Sequence, residues 1–148
     1  MENKTTYTAE LNQLLASYQI HYQNLRLLHW NIKGQDFFEL HVKYEELYTR
    51  AQEIVDELAE RILSIGETPL SSFSAYITKS PIAELEMTND GATGVAYILS
   101  AQEELLKQER ALLNATDEAD DEGTNALMSD LIREKEKTNW MFRAWLNK

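Results

Sequence analysis

Four residues of this sequence carry side chains that bind first-row transition metals: His29, His41, Asp56 and Glu60. The two histidines lie twelve residues apart, and the two carboxylates have i,i+4 spacing, which places them on one face of a helix. Imidazole and carboxylate together suit borderline ions such as Fe(II), Zn(II) and Mn(II). The pattern therefore predicts a metal site.

The spacing also predicts how such a site would be built. If residues 39–66 form one helix, His41 and Asp56 lie about 22 Å apart along its axis, at roughly 1.5 Å per residue. Within one chain they cannot reach the same ion. If all four residues bind one metal centre, two copies of the chain must contribute to it.

Each of these residues also has a purely structural interpretation. A single helical histidine is more often packed or exposed than metal-bound, and Asp56 and Glu60 could be a solvated face near Arg61. Two observations favour the metal. The histidines flank one turn, so both fall at the same end of a helical hairpin. The carboxylates border an apolar stripe, where a buried carboxylate needs a cation or a donor.

Two neighbours of the histidines are further candidates. Glu45 follows His41 by one helical turn and could bind a second ion or hydrogen-bond a ligand. Trp30 is either a packing residue or, beside an oxidising metal centre, an electron donor. The Glu-x-x-His pattern of intrachain di-iron bundles is absent, so an iron site here would not be the standard one inside each bundle.

Composition excludes several classes of protein. A length of 148 residues predicts a single domain, residues 1–148, and the absence of cysteine excludes disulfides, zinc fingers and thiol catalysis. No apolar run is long enough to span a bilayer and no signal peptide is recognisable, so we expect a cytoplasmic protein. The net charge of −11 makes nucleic acid a poor partner and suits cations, although solubility alone also explains it.

Apolar residues recur with helical spacing over four long stretches, about residues 8–33, 36–66, 89–114 and 124–147. Asp36 and Glu39 have the spacing of a capping box, and Gly66 is placed to end the second helix. A short helix is expected near residues 73–78, inside the long connection 67–87. The sequence therefore predicts an all-α, ferritin-like four-helix bundle with one long crossover.

Three segments of the sequence resemble the Dps family, the mini-ferritins. They are residues 29–34 (HWNIKG), 37–41 (FFELH) and 56–63 (DELAERIL), and the resemblance extends over nearly the whole chain. It implies a hollow shell of twelve subunits with metal centres at two-fold interfaces. His29 and His41 would come from one subunit, and Asp56 and Glu60 from its partner. The family position occupied here by Glu45 is usually aspartate.

The resemblance also implies an activity. Dps proteins are ferroxidases that oxidise Fe(II), with hydrogen peroxide preferred over oxygen, and store the ferric mineral, which protects against oxidative stress. Zn(II) is a second candidate ion for the same site. Cation pores near the start of the last helix would use the acidic residues Asp117, Asp120, Asp121 and Glu122. The alternative for these residues is a solvated helix N-terminus favoured by the helix dipole.

The chain departs from the family members that bind DNA, which carry a lysine-rich tail. Only Lys4 lies near its N-terminus, and only Lys148 follows the last helix, so we predict no appreciable DNA binding at physiological salt. The alternatives to a ferroxidase are a non-catalytic metal-binding cage, a DNA-protecting structural protein, and a plain helical interaction bundle, which leaves the paired motifs unexplained.

Overall fold

A computed structural model describes the backbone of residues 3–148 and the side chains of residues 7–148. This part of the chain contains five α-helices and no strand: α1 (Asn3–Asn31), α2 (Phe37–Ser64), α3 (Phe73–Lys79), α4 (Gly91–Glu118) and α5 (Glu122–Trp145). Helix α1 packs against α2, α3 and α4, and α4 packs against α5. The predicted all-α bundle with a long crossover containing one short helix is confirmed.

Apolar side chains of the four long helices meet in a single core. Their spacing of three and four residues gives each helix one buried face. Fully buried members include Leu11, Leu14, Leu25, Leu58, Ile62, Ile98, Leu105, Leu112, Met128 and Leu131. No helix of the described residues is long and apolar enough to cross a membrane.

The long crossover is fastened to α1 by two asparagines. Asn12 donates to the carbonyl of Thr68 (3.1 Å) and accepts from the amide of Leu70 (2.9 Å). Asn24 does the same further along, donating to the carbonyl of Ala83 and accepting from the amide of Leu85. Each side chain satisfies one donor and one acceptor of an irregular segment, which therefore follows the bundle closely.

The start of α2 differs from the prediction. Asp36 occupies the N-cap position, but its backbone (φ −94°, ψ 16°) is not extended and its side chain accepts no capping hydrogen bond. The expected capping box is therefore wrong. A hydrogen bond between the two carboxyl groups instead raises the pKa of Glu39.

The other end of α2 follows the prediction. Gly66 has a φ of +88°, and its amide and that of Glu67 bond the carbonyls of Leu63 and Ile62. This is the left-handed termination that glycine favours.

The acidic stretch after α4 is more helical than predicted. Helix α4 continues through Glu118, beyond the expected end near residue 114, and α5 begins at Glu122. Asp120 has a φ of +57° and ends α4, and Asp121 follows as the N-cap of α5. The connection between the two helices is therefore only three residues long.

Candidate metal centre

The two candidate histidines hold each other in place. Nδ1 of His29 donates to the carbonyl oxygen of His41 (2.6 Å), and Nδ1 of His41 donates to the carbonyl oxygen of His29 (2.8 Å). A carbonyl can only accept, so each Nδ1 carries a proton, and in the neutral tautomer Nε2 is the nitrogen with the free lone pair. The rings stack at 3.8 Å with an interplanar angle of 13°. This arrangement leaves two imidazole nitrogens available for a metal ion.

Aromatic neighbours fix the orientation of both rings. Phe37 stacks on His41 with ring centroids 4.9 Å apart, and Tyr48 meets His29 edge-on at 5.3 Å. The side chain of His29 is buried, whereas Trp30 beside it is 57 % exposed. The imidazoles are thus pre-positioned at the end of the α1–α2 hairpin.

Glu45 is the carboxylate that the single chain brings to this end. Its Oε1 lies 3.9 Å from Nε2 of His29, and the side chain is mostly exposed. This distance is compatible with either of the two roles proposed from the sequence, since a small rotation would bring the carboxylate to a shared ion or to a ligand.

Asp56 and Glu60 are on α2, the helix that contains His41, but they lie far from both histidines. Helix α2 is continuous from Phe37 to Ser64, so the separation of His41 and Asp56 is about 22 Å. Both carboxylates are exposed. Across residues 7–148, no three histidine or carboxylate side chains come close enough to hold a metal ion. One chain therefore supplies two separate halves of the predicted ligand set.

Among the four candidate pore residues, Asp121 differs from the rest. Its carboxylate accepts from Tyr7 (2.6 Å), from Arg61 (3.0 Å), and from both the hydroxyl and the amide of Thr124. Burial disfavours the charge, but the hydrogen bonds and Arg61 outweigh it and lower the pKa of Asp121. Its observed role is that of an N-cap, the alternative considered for this stretch. Three candidate pore residues are exposed: Asp117, Asp120 and Glu122.

A buried charged cluster in the middle of the bundle was not identified from the sequence. Tyr18 donates to Oε2 of Glu109 (2.6 Å), Lys135 lies 3.0 Å from the same oxygen, and Lys135 also contacts the Tyr18 hydroxyl. Burial raises the pKa of Glu109 and lowers that of Lys135, while their mutual attraction opposes both shifts. This cluster carries its own cation, so it does not call for a metal.

The third histidine, His21, belongs to the same polar interior. Its Nδ1 lies 2.9 Å from the hydroxyl of Tyr97, which also accepts from Asn24. Burial, followed by the nearby charge of Lys135, lowers the pKa of His21 to about 3. His21 is therefore a neutral core residue and not part of the candidate centre.

Comparison with known proteins is consistent with this geometry. The ferritin family model, described as a ferritin-like domain, matches residues 8–148. A Brevibacillus brevis protein named "DNA protection during starvation protein" is 36 % identical over 136 residues, covering 92 % of this chain and 91 % of the relative. An uncharacterised Haemophilus influenzae protein is 47 % identical over 135 residues, covering 91 % and 84 % of the two chains.

Solved structures of Dps proteins are also similar to this chain. The Dps protein of Vibrio cholerae O1, described as a member of a broad superfamily of ferritin-like diiron-carboxylate proteins, superposes with a TM-score of 0.96 at 47 % identity, covering 98 % of this chain and 91 % of that chain. Bacillus brevis Dps gives 0.95 at 34 % identity, covering 99 % and 98 %. The chain therefore belongs to the Dps family of ferritin-like proteins, whose general function is iron storage and protection against oxidative stress.

Proposed function

We propose that this protein is a ferroxidase that oxidises Fe(II) at a site shared by two copies of the chain and stores the ferric product in a shell of twelve copies. One observation carries the proposal: the two histidines meet at the end of the α1–α2 hairpin, whereas Asp56 and Glu60 lie about 22 Å from His41 along the same rigid α2. Two copies arranged about a two-fold axis can join the halves, and symmetry then makes two equivalent sites per pair.

Each ligand would have a distinct role toward iron, which is the substrate here. The Nε2 atoms of His29 and His41 bind Fe(II), and their Nδ1 hydrogen bonds hold the rings in the binding orientation. Asp56 and Glu60 of the partner copy supply negative charge, which favours Fe(III) over Fe(II). Glu45 either binds a second iron or hydrogen-bonds a ligand, and Trp30, next to His29 in sequence, would donate an electron.

Hydrogen peroxide is the proposed preferred oxidant. Two Fe(II) ions give one electron each, and peroxide takes both electrons and two protons to become water. Pairing the electrons avoids release of hydroxyl radical, which accounts for protection against oxidative stress. Fe(III) then hydrolyses and deposits as an oxyhydroxide, with the protons leaving to solvent.

Cation delivery is proposed to use the acidic turn between α4 and α5. Asp117, Asp120 and Glu122 are exposed there and would face a symmetry axis of the shell. Asp121 contributes its charge to the same turn while its oxygens remain engaged by Tyr7, Arg61 and Thr124.

Protection by direct DNA binding is the less supported alternative, although several relatives bear the name "DNA protection during starvation protein". The chain has 25 acidic residues against 14 basic ones. Lys4, the basic residue of the N-terminal segment, lies outside the described side chains. We expect no plasmid retardation in a gel at moderate salt, and retardation that persists there would contradict this expectation.

The two-chain site can be tested by complementation. His41→Ala and Asp56→Ala chains should each lose rapid Fe(II) oxidation. In a mixed pair, one site carries both lesions and the other carries none. Random co-assembly makes about half of the pairs mixed, and each mixed pair has one intact site of two. About a quarter of all sites should therefore be active. Absorbance at ferric wavelengths, after addition of peroxide to anaerobic Fe(II)-loaded protein, gives the rate.

The matched control for these variants is Glu46→Gln, which removes an exposed carboxylate of α2 outside the ligand set. It should retain the wild-type rate. Circular dichroism and size-exclusion chromatography should show every variant folded and assembled. A co-assembled mixture no more active than its parents would overturn the shared site. Metal binding with no protein-dependent oxidation would favour the non-catalytic cage, with Zn(II) as a candidate ion.

A further inference from the structure

A small cavity lies at the centre of the bundle, away from the candidate metal centre. It has a volume of about 40 Å³, and all four long helices contribute to its wall. Two members of the buried charged cluster, Tyr18 of α1 and Lys135 of α5, line it together with Ala51 of α2 and Gln102 of α4. The cavity therefore borders the charged cluster, and whatever it holds contacts that cluster directly.

Two polar groups of the cavity wall have unused hydrogen-bonding capacity. Gln102 is only 4 % exposed, and its Oε1 has no hydrogen-bond partner among the described residues. The ammonium of Lys135 has three N–H donors, and within the described chain Glu109 and Tyr18 accept two of them. Native proteins satisfy nearly all buried polar atoms, because an unpaired one is costly to the fold. The wall thus offers one acceptor and one donor to an occupant.

The chemistry of the wall selects the occupant. A cation is disfavoured by the ammonium of Lys135, and an anion would leave the amide oxygen of Gln102 unpaired. Water both donates and accepts, so it can satisfy the two groups at once. A water molecule needs a cavity of about 10–15 Å³, so the volume of about 40 Å³ accommodates roughly one or two. Cavities that stay dry are lined by apolar groups alone, and this one is not.

The cavity reaches solvent between α2 and α5. The wall residues of α1 and α4 are buried, whereas the partly exposed ones all belong to the other two helices: Leu47, Arg50, Glu134 and Thr138. In the described part of the chain, α2 and α5 are not one of the closely packed helix pairs. A two-pronged ion pair bridges them instead, with Nε of Arg50 2.9 Å from Oε2 of Glu134 and Nη2 3.0 Å from Oε1. This ion pair therefore lies between the cavity and solvent.

We propose that this cavity is a hydration site, in which ordered water hydrogen-bonds Gln102 and Lys135, and that the Arg50–Glu134 ion pair controls the exchange of this water with solvent. The water completes the hydrogen bonding that Glu109 and Tyr18 leave unfinished. Both partners of the ion pair are partly exposed, so it can open locally while the bundle stays folded. The proposal does not depend on the shared metal site, because none of these residues belongs to the ligand set.

High-resolution crystal structures of the wild type and of Ala51→Val test the hydration site. The wild type should show ordered density within hydrogen-bond distance of Gln102 Oε1 and Lys135 Nζ. The added methyl groups of valine should displace it and lower the thermal midpoint, because Gln102 then loses its partner. The loss should be smaller in a Gln102→Leu background. A dry wild-type cavity, a higher midpoint in Ala51→Val, or an equal loss in both backgrounds would overturn the proposal.

The role of the ion pair is tested by the residence time of the water, measured by oxygen-17 magnetic relaxation dispersion. Arg50→Ala removes the closure and should shorten the residence time roughly fivefold or more. The matched control is Arg110→Ala, which removes an arginine from the exposed ion pair with Glu136, outside the cavity wall. Its residence time should equal that of the wild type. An unchanged residence time in Arg50→Ala, or an equal change in both variants, would overturn the control of exchange by this ion pair.

Discussion

The centre of the bundle and the end of the α1–α2 hairpin both contain polar groups that helices seldom bury, but they are satisfied differently. In the centre, Glu109 has both a cation and a hydroxyl donor from its own chain. At the hairpin end, His29 and His41 use one nitrogen each on the backbone and leave the other available. In the first arrangement Oε2 of Glu109 finds both partners within one chain, and in the second the remaining nitrogens can take a ligand from outside it.

The central cluster should therefore matter mainly for the stability of the fold, and the hairpin end mainly for the proposed metal chemistry. A buried charge that loses its partner leaves an uncompensated charge in the interior, which is costly to the fold. A metal ligand at a partly exposed end can be removed with a smaller effect on the fold, because solvent can replace it. Substitutions in the two regions should therefore change different measured quantities.

The largest effect on stability is expected at Lys135. Lys135→Met leaves Glu109 buried without its cation and should lower the free energy of unfolding by about 3–5 kcal/mol. Urea denaturation, at a concentration where wild type and variant have the same assembly state, measures this. The double variant Lys135→Met/Glu109→Leu should recover most of the loss. A double variant as unstable as Lys135→Met would mean that the lysine stem, rather than the charge pair, provides the stability.

An intermediate effect is expected where Arg61 packs against Gly123. A Cβ at position 123 would lie 2.6 Å from Nη2 of Arg61, so Gly123→Ala should displace the guanidinium from Asp121 and cost about 1–3 kcal/mol. Denaturant titrations at neutral pH give the difference. An unchanged midpoint would mean that Arg61 repacks without leaving the Asp121 carboxylate.

Gly123→Ala should also change how the free energy of unfolding depends on pH in the acid range. The pKa of Asp121 is lowered in the folded chain, so its contribution is present above the ordinary value of 3.8 and is lost as the pH falls through the lower folded value. Without Arg61 the folded pKa moves back toward 3.8, and the variant should lose less stability on acidification than wild type. If the free energies of unfolding of wild type and Gly123→Ala fall in parallel between pH 5 and 2, Arg61 does not lower the pKa of Asp121.

The smallest effect is expected at a surface ion pair. Arg110 and Glu136 are 3.1 Å apart, and both side chains are about half exposed. Arg110→Ala should change the free energy of unfolding by less than about 0.5 kcal/mol, with no effect on Fe(II) oxidation. A loss comparable to that of Lys135→Met would remove the distinction between buried and exposed charge pairs on which the comparison rests.

Much of the fold was predictable because helical periodicity is a local property of the sequence. The stripes of all four long helices, the short helix in the connection and the Gly66 termination follow from residue types at fixed spacings. The capping box failed because spacing does not determine the backbone angles of Asp36. The boundary between α4 and α5 was displaced because Asp121 caps α5 at the amide of Thr124, and Tyr7 and Arg61, which are distant in sequence, hold its carboxylate there.

The candidate site was predictable as two halves because a helix fixes the distance between them. The central cluster was missed because Tyr18, Glu109 and Lys135 come from three helices, and only the folded chain brings them together. A local signal did exist. Glu109 lies four residues after Leu105, and Lys135 lies four residues after Leu131, so both charges fall on buried stripes. Charged residues on an apolar face are a sign that a partner is present in the core.

The hydrogen bonds between His29 and His41 limit which residues can replace His41. The carbonyl of His29 is in the last turn of α1, where no amide of the helix is available to it, and Nδ1 of His41 donates to it. His41 therefore caps α1 in addition to its proposed role as a metal ligand. Aspartate or glutamate at this position could bind Fe(III) but, when ionised, has no proton to give the carbonyl. The end of α1 would then lose its cap, so an imidazole suits position 41 even though an oxygen ligand would bind the oxidised ion better.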